Sequence, residues 1–326
     1  MTDGAPEPME SSASPTSFRL NESDEVEMTS DPELTTEQKI LIDFHSLINM
    51  IGVLHGCLEL LQAENVEGLE NAKARVFRLA GEIKSAAAHG RQLKLARTFS
   101  VFLAAEIEAV LLGDSARAET SAVAGIRETI FFALEIFHIR IAELHDRASN
   151  PGAWVSFSPG NLTVSVGQVL EAMEKNARGR YRIVRNIAEQ NPGDYLVDLD
   201  ITSAGGGEFF MPPIFHDVLR DLIANAIKYT PPGGKISAGL LASETGLRLV
   251  IEDNGLGIPK EELSKVVDFG YRASNVLSRR THGGGFGLTK ALWATKSFGG
   301  RMWIRSRIGA GSRVTLVIPA QLQALS

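Results

Sequence analysis

Four segments in the second half of the chain carry residue types able to hold a polyphosphate ligand. In "DLIANAIKYT" (221–230), Asp221 and Asn225 are four apart and share a helix face, with Lys228 and Tyr229 one turn on. A carboxylate, an amide oxygen and an ammonium grouped this way can position Mg2+ and phosphates, because Mg2+ takes oxygen ligands and keeps waters. "IEDNGLGIP" (251–259) follows an apolar strand; Gly255 and Gly257 permit close backbone approach, and Pro259 ends the strand. Asp253, at that strand end, can accept a hydrogen bond from an exocyclic amine such as that of adenine. "DFGYRAS" (268–274) sets Phe269 and Tyr271 around a glycine before Arg272, whose guanidinium can fork onto phosphate oxygens. "THGGGFGLTKA" (281–291) opens a helix with Gly283, Gly285 and Gly287, and the free N–H groups there suit an anion. It lacks the Lys-Ser/Thr ending of a P-loop. Each segment alone is also an ordinary turn or a solvated helix face.

Order and spacing change that weighting. Asn225 and Asp253 are 28 residues apart, Asp253 and Gly283 30, and the aromatic-Arg segment lies between. In this order the segments resemble the N, G1, F and G2 boxes of the GHKL superfamily ATP-binding domain, most closely that of two-component sensor histidine kinases. "GAGS" (309–312) is similar to the small-residue turn that follows. The resemblance spans residues 155–320 and implies a Bergerat-type α/β sandwich binding ATP and Mg2+. Carried over by position, it implies that Asn225 coordinates Mg2+ and that Lys228 and Tyr229 line the nucleotide site. Asp253 would bind the adenine amine, with Gly255 and Gly257 shaping the base pocket. Gly283, Gly285 and Gly287 would wrap the phosphates, and Phe269, Tyr271 and Arg272 would belong to a mobile lid. Asp221 stands where such domains commonly have Asn.

The same resemblance points upstream to "FHSLINMIGVLHG" (44–56). "HSLINMI" is similar to the H box, which implies that His45 takes the γ-phosphoryl group and that Asn49 is its neighbour in the site. Gln38, Asn49, Gly52 and Gly56 share the face of His45 and are all polar or small, so a second domain has room to approach. His55 is read as a member of the apolar seam. Ser46 departs from the pattern, since the acidic residue usual after the histidine is missing and a hydroxyl is no useful base near neutral pH. Asp43 does not replace it, lying about 200° around the helix from His45. Two readings stay open: a histidine kinase serving a response regulator receiver domain, or a nucleotide-binding scaffold or phosphotransfer partner with weak or no autokinase activity.

These residues need elements to hold them. A capping-box pattern at Thr35 and Gln38 starts a helix, and apolar residues recur at Leu41, Phe44, Ile48, Ile51 and Leu58, widened by Leu47, Leu54 and Leu61. Two more helical runs, about 69–112 and on to Ser149, are expected before Asn150-Pro151-Gly152. The middle run either breaks near Gly90 or overhangs onto the third. Beyond it, helical character is expected through "NLTVSVGQVLEAMEKNARGRYRIVRNIAEQ", then strands and helices alternate. The fold class is α+β: a disordered acidic tail (1–34), a helical dimerisation and phosphoacceptor domain with an extra helix (35–152), and a GHKL ATP-binding domain (153–326). The bundle is expected to pair two copies as a homodimer, with input arriving through the tail, the extra helix or a separate sensor protein.

Composition narrows the classes. Residues 1–34 hold nine acids against Arg19, while the whole chain carries −6, so nothing favours nucleic acid. Cys57 alone gives no disulfide framework or cysteine metal site. No basic start with an apolar run marks a signal peptide, and no 18-residue uncharged apolar stretch occurs. A cytoplasmic protein with no membrane contact is the expectation.

Overall fold

The computed structural model describes residues 25–84, 89–177, 179–277 and 284–320. Thr35 opens helix α1 (Thr36–Ala63) with the expected capping box: its hydroxyl accepts from Gln38 N at 3.2 Å, while Thr35 N donates to Gln38 Oε1 at 2.9 Å. Gly68, at φ +81°, turns the chain into α2 (Glu70–Lys84). Then come α3 (His89–Gly113), a single turn α4 (Ser115–Ala118) and α5 (Ser121–Ser149), the last capped by the Thr120 hydroxyl. The middle helical run is therefore two helices.

α1 packs on α2 and α5, and α3 packs on the same two, so four helices close a ring. Phe44, Leu47, Leu54, Leu58, Leu103 and Phe137 fill it. The helices of one chain surround the α1 seam. The buried seam of α1 runs 44, 47, 51, 54, 58, 61, a strict heptad. His55 is outside it, exposed beside Glu59 at 3.9 Å, and Cys57 takes a buried place instead. The expected seam position for His55 is thus corrected: Leu47 and Leu54 form the seam rather than widen it. α1 is also long and apolar enough to cross a membrane by length and composition. In this fold its apolar face is the bundle core.

The second lobe is a seven-stranded mixed sheet in the order β1-β8-β9-β7-β6-β4-β3. Its strands are β1 (Glu25–Glu27), β3 (Ile183–Val184), β4 (Tyr195–Ser203), β6 (Lys235–Ser243), β7 (Gly246–Asp253), β8 (Arg301–Arg307) and β9 (Gly311–Pro319). β3, β4 and β6 run parallel; the other neighbours are antiparallel. A short pair, β2 (Val155–Phe157) with β5 (Phe209–Met211), stands apart. Helices α6 (Pro159–Ala177), α7 (Ile214–Tyr229) and α8 (Gly287–Ser297) layer against the large sheet around a second apolar core.

Two expectations change here. Residues 25–27 are not part of a disordered tail: they add an edge strand to β8, with Glu27 paired to Arg301 and Met28 buried in the second core. Glu25 and Glu27, two of the acids that suggest disorder, pair with Arg305 and Arg301. The helical reading of 161–190 stops at Ala177, because Gly179 takes φ +74° and Ile183 and Val184 then pair with β4.

Candidate functional site

α7 buries Val218, Leu222, Ile223 and Ala226 against the sheet, which leaves Asp221, Asn225, Lys228 and Tyr229 on a cavity of about 620 Å3. Across that cavity lie Asp253 at the end of β7, Tyr271 and Arg272, and the start of α8 at Gly285–Leu288. His45 and Asn49 from α1 line the same cavity. The structure therefore brings the separate sequence segments to one place, with exceptions. Gly255 lies beneath the wall, Phe269 behind it, and Gly283 lies outside the described residues.

Asp253 is buried, and its Oδ1 accepts the Gly255 N–H at 2.8 Å. Burial pushes its carboxyl up to about 6, against hydrogen bonds from the Gly255 and Ser312 backbone. A Cβ on Gly255 would come within 2.5 Å of the Tyr229 carbonyl oxygen, and one on Gly257, at φ +68°, would run into the Arg307 carbonyl. Nearby, Thr230 Oγ1 and Asn275 Oδ1 are buried without a hydrogen-bond partner. Asn275 Nδ2 donates to Gly257 O at 2.9 Å, so its amide oxygen is held ready for a donor. Unmatched polar groups in such a place fit a nitrogen-rich base.

The other end of the cavity is basic and rich in free N–H groups. Burial, then the Arg272 guanidinium, lowers Lys228 to about 8, and its Nζ lies 5.2 Å from the Tyr229 ring centroid. No side chain caps α8, leaving the N–H groups of its first turn open to an anion. A Cβ on Gly287 would sit 2.5 Å from Asn225 Nδ2, and one on Gly285, at φ +74°, 2.7 Å from the Tyr271 carbonyl. A side chain at 287 would displace the Asn225 amide, and at 285 the backbone clash and positive φ require glycine. Tyr271 donates to Glu262 at 3.0 Å, and the Ser274 N–H does so at 2.8 Å, tying residues 271–274 to Glu262.

His45 is half-buried, its ring edge-on to Phe286 with centroids 5.1 Å apart. Phe286 in turn stacks on Phe269 at 4.6 Å, which gives Phe269 its role behind the wall. Asn49 Nδ2 donates to His45 Nε2 at 3.2 Å, so in this arrangement Nε2 carries the lone pair. Burial lowers the His45 pKa; Asp221 opposes this, while Lys290 and Lys228 add to it. The imidazole is accordingly neutral near pH 7.

Sequence reasoning missed a buried ion network beside this site. Asp217 accepts from Arg140, and from Arg147 at 2.6 Å; Arg147 also donates to Asp43 at 2.8 Å. Arg220 donates to Glu143 at 3.0 Å, and Lys290 donates to Asp221 at 3.0 Å. His216 is packed between Ser165 and Arg220. The available signal was spacing: Arg140, Glu143 and Arg147 step by three and four inside an apolar run, and Arg220 and Asp221 lie three and four residues after Asp217. Among the described residues, no group of three or more His, Cys, Asp or Glu could hold a metal.

Comparison with known proteins agrees with this geometry. Residues 212–322 match the family described as "Histidine kinase-, DNA gyrase B-, and HSP90-like ATPase". The chain is 36% identical over 153 residues to the "Sensor histidine kinase WalK" of Bacillus subtilis, covering 46% of this chain and 23% of that protein. It is 30% identical over 182 residues to the "Adaptive-response sensory kinase SasA" of Synechococcus elongatus, covering 55% and 43%. The chain thus spans less than half the length of these curated relatives. A solved catalytic domain of histidine kinase ThkA aligns with 51% of this chain and 95% of its own, at 19% identity and a TM-score of 0.37, too low to carry weight. Residues 212–322, which hold Asn225, Asp253 and the glycine segment, are a GHKL ATPase domain, and the chain's curated relatives are sensor histidine kinases.

Proposed function

We propose that this chain binds Mg-ATP, phosphorylates itself on His45 and passes the phosphoryl group to an aspartate of a response regulator receiver domain. One observation carries the reading: His45 lines the same cavity as Asn225 and Asp253. Asp253 receives the adenine amine, with Thr230 and Asn275 as further polar contacts. Lys228, Arg272 and the α8 N-terminus face the phosphates. Mg2+, bound through the Asn225 amide oxygen and the triphosphate, would spread the charge that builds on the phosphates. His45 Nε2 must leave Asn49 before it attacks. The N–P bond then forms as the bond to the ADP oxygen breaks, and the Nδ1 proton passes to solvent. Ser46 offers no base, and Asp43 is held by Arg147. The expected rate is correspondingly slow.

Ser46 is also what favours the second reading, a nucleotide-binding scaffold. Incubation with labelled ATP and Mg2+ separates the two. Acid-labile, base-stable label on the wild type, absent from His45→Ala and Asn225→Ala, supports the kinase. ATP binding without label supports the scaffold. Ser46→Glu should raise the labelling rate where the missing base limits it. The cytoplasm, where ATP and receiver domains meet, is the proposed site of action.

A further inference from the structure

We infer that His45 is phosphorylated by the ATP domain of its own chain, and that Arg147, bridging Asp43 to Asp217, is the positioning residue that holds it there. The inference rests on the kinase reading above and extends it to how the two lobes meet. Three independent features support it. The bundle is closed by α1, α2, α3 and α5 of one chain, so no second copy is needed to cover the α1 seam. The acceptor already touches its own nucleotide lobe, with the His45 ring 5.1 Å from Phe286, one residue before α8. The chain also crosses between lobes twice. It leaves the sheet edge after β1 to enter α1, and returns after α5 to β2.

The ion bridge fixes the register of this contact. Asp217, only 4% exposed, takes Arg147 Nη1 at 2.6 Å, and the other fork of the same guanidinium reaches Asp43 at 2.8 Å. Asp43 is two residues before His45. Asp217 lies eight residues before Asn225, about 12 Å along α7. One arginine from α5 therefore ties the histidine helix to the nucleotide helix at a set offset. Around it, Arg140, Arg147, Arg220 and Lys290 face Asp43, Glu143, Asp217 and Asp221, four charges of each sign. Buried pairs of this kind repay their desolvation poorly, and their best-attested use is to specify register. A planar fork suits that use better than a lysine ammonium.

Two measurements test the inference. Mixing His45→Ala with Asn225→Ala chains separates an acceptor-less lobe from a nucleotide-less one. The mixture is expected to stay unlabelled; recovery of label on the Asn225→Ala chain overturns the intramolecular assignment. For the bridge, Arg147→Gln is expected to lower labelling at saturating ATP about tenfold or more, with ATP affinity within about twofold of wild type. Arg147→Lys should recover part of the rate. Unchanged labelling in Arg147→Gln, or loss of rate and ATP affinity together, overturns the positioning role. If the wild type takes no label, the kinase reading has failed, and positioning is read instead by diethyl pyrocarbonate. His45 in the wild type should be protected by ADP, and Arg147→Gln should lose that protection while still binding ADP. ADP leaving His45 equally reactive in both overturns the positioning.

Discussion

Burial pushes the Asp253 carboxyl up to about 6 even though the Gly255 and Ser312 backbones donate to it. In the unfolded chain the same group titrates near 3.8. The folded state therefore prefers the protonated form, and its contribution to stability is full below 3.8 and lost as pH rises through 6. The loss at neutral pH is roughly 3 kcal/mol. Under the proposed function this stability cost serves recognition, since the ionised oxygen is the acceptor an adenine amine needs. Asp253→Asn should then raise the melting temperature of the nucleotide-free protein at pH 7.5, while ATP ceases to raise it further. A melting temperature that falls, or that ATP still raises, contradicts this. For the wild type, affinity for ATP should weaken as pH drops below about 6. It should weaken again above about 8, where Lys228 gives up its proton. That Asp253, Gly257 and Gly285 share a cavity was legible in the sequence, because backbone packed this closely at positive φ leaves few residue types possible at the two glycines. Phe286 and Asn275 were not, since an aromatic inside a glycine run and an amide in a lid read as ordinary loop residues.

At the scale of elements, α1 shows where periodicity misleads. Leu41, Phe44, Ile48 and Ile51 offer one apolar stripe, and Leu47, Ile51, Leu54 and Leu58 another, rotated by about one residue. Sequence alone does not say which stripe faces a neighbour. The packing of α2 and α5 does, and it selects the second. Leu54→Ala should therefore destabilise the protein by about 2–5 kcal/mol in urea unfolding. His55→Ala, removing an exposed side chain, should change stability by no more than about 0.5 kcal/mol and leave labelling intact. Equal effects of the two would restore the stripe through His55. The strands β6 to β9 were readable because their alternation and glycine turns are local. β1, β2, β3 and β5 were not, because two- or three-residue strands exist only through the partner they pair with. The ion network was hidden for a related reason: a charged helix face reads as solvated until another helix covers it.

At the scale of the molecule, the N-terminal strand turns two lobes into a doubly tethered unit. Residues 25–27 lie against β8, Met28 N donates to Met302 O at 2.9 Å, and the Met28 side chain is 2% exposed in the core of the nucleotide lobe. Seven residues later the chain is already the capped start of the His45 helix. Detaching this strand undocks the N-terminal end of α1 from the sheet, leaves the α5–β2 segment as the remaining chain connection and exposes β8 as a bare sheet edge. Met28→Asp buries a charge with no cation provided for it, which favours release of the strand. Hydrogen exchange at the β8 amides should then accelerate, while exchange at β6 and β7, central in the sheet, stays as in the wild type. ATP affinity should hold, because no residue of the strand lines the cavity. Labelling of His45 should slow, because the histidine helix then hangs on the ion bridge and a single connection. Unchanged β8 exchange would mean that the strand stays seated without Met28. Faster β8 exchange with undiminished labelling would leave the buried ions around Asp217 as sufficient by themselves to hold the lobes in register.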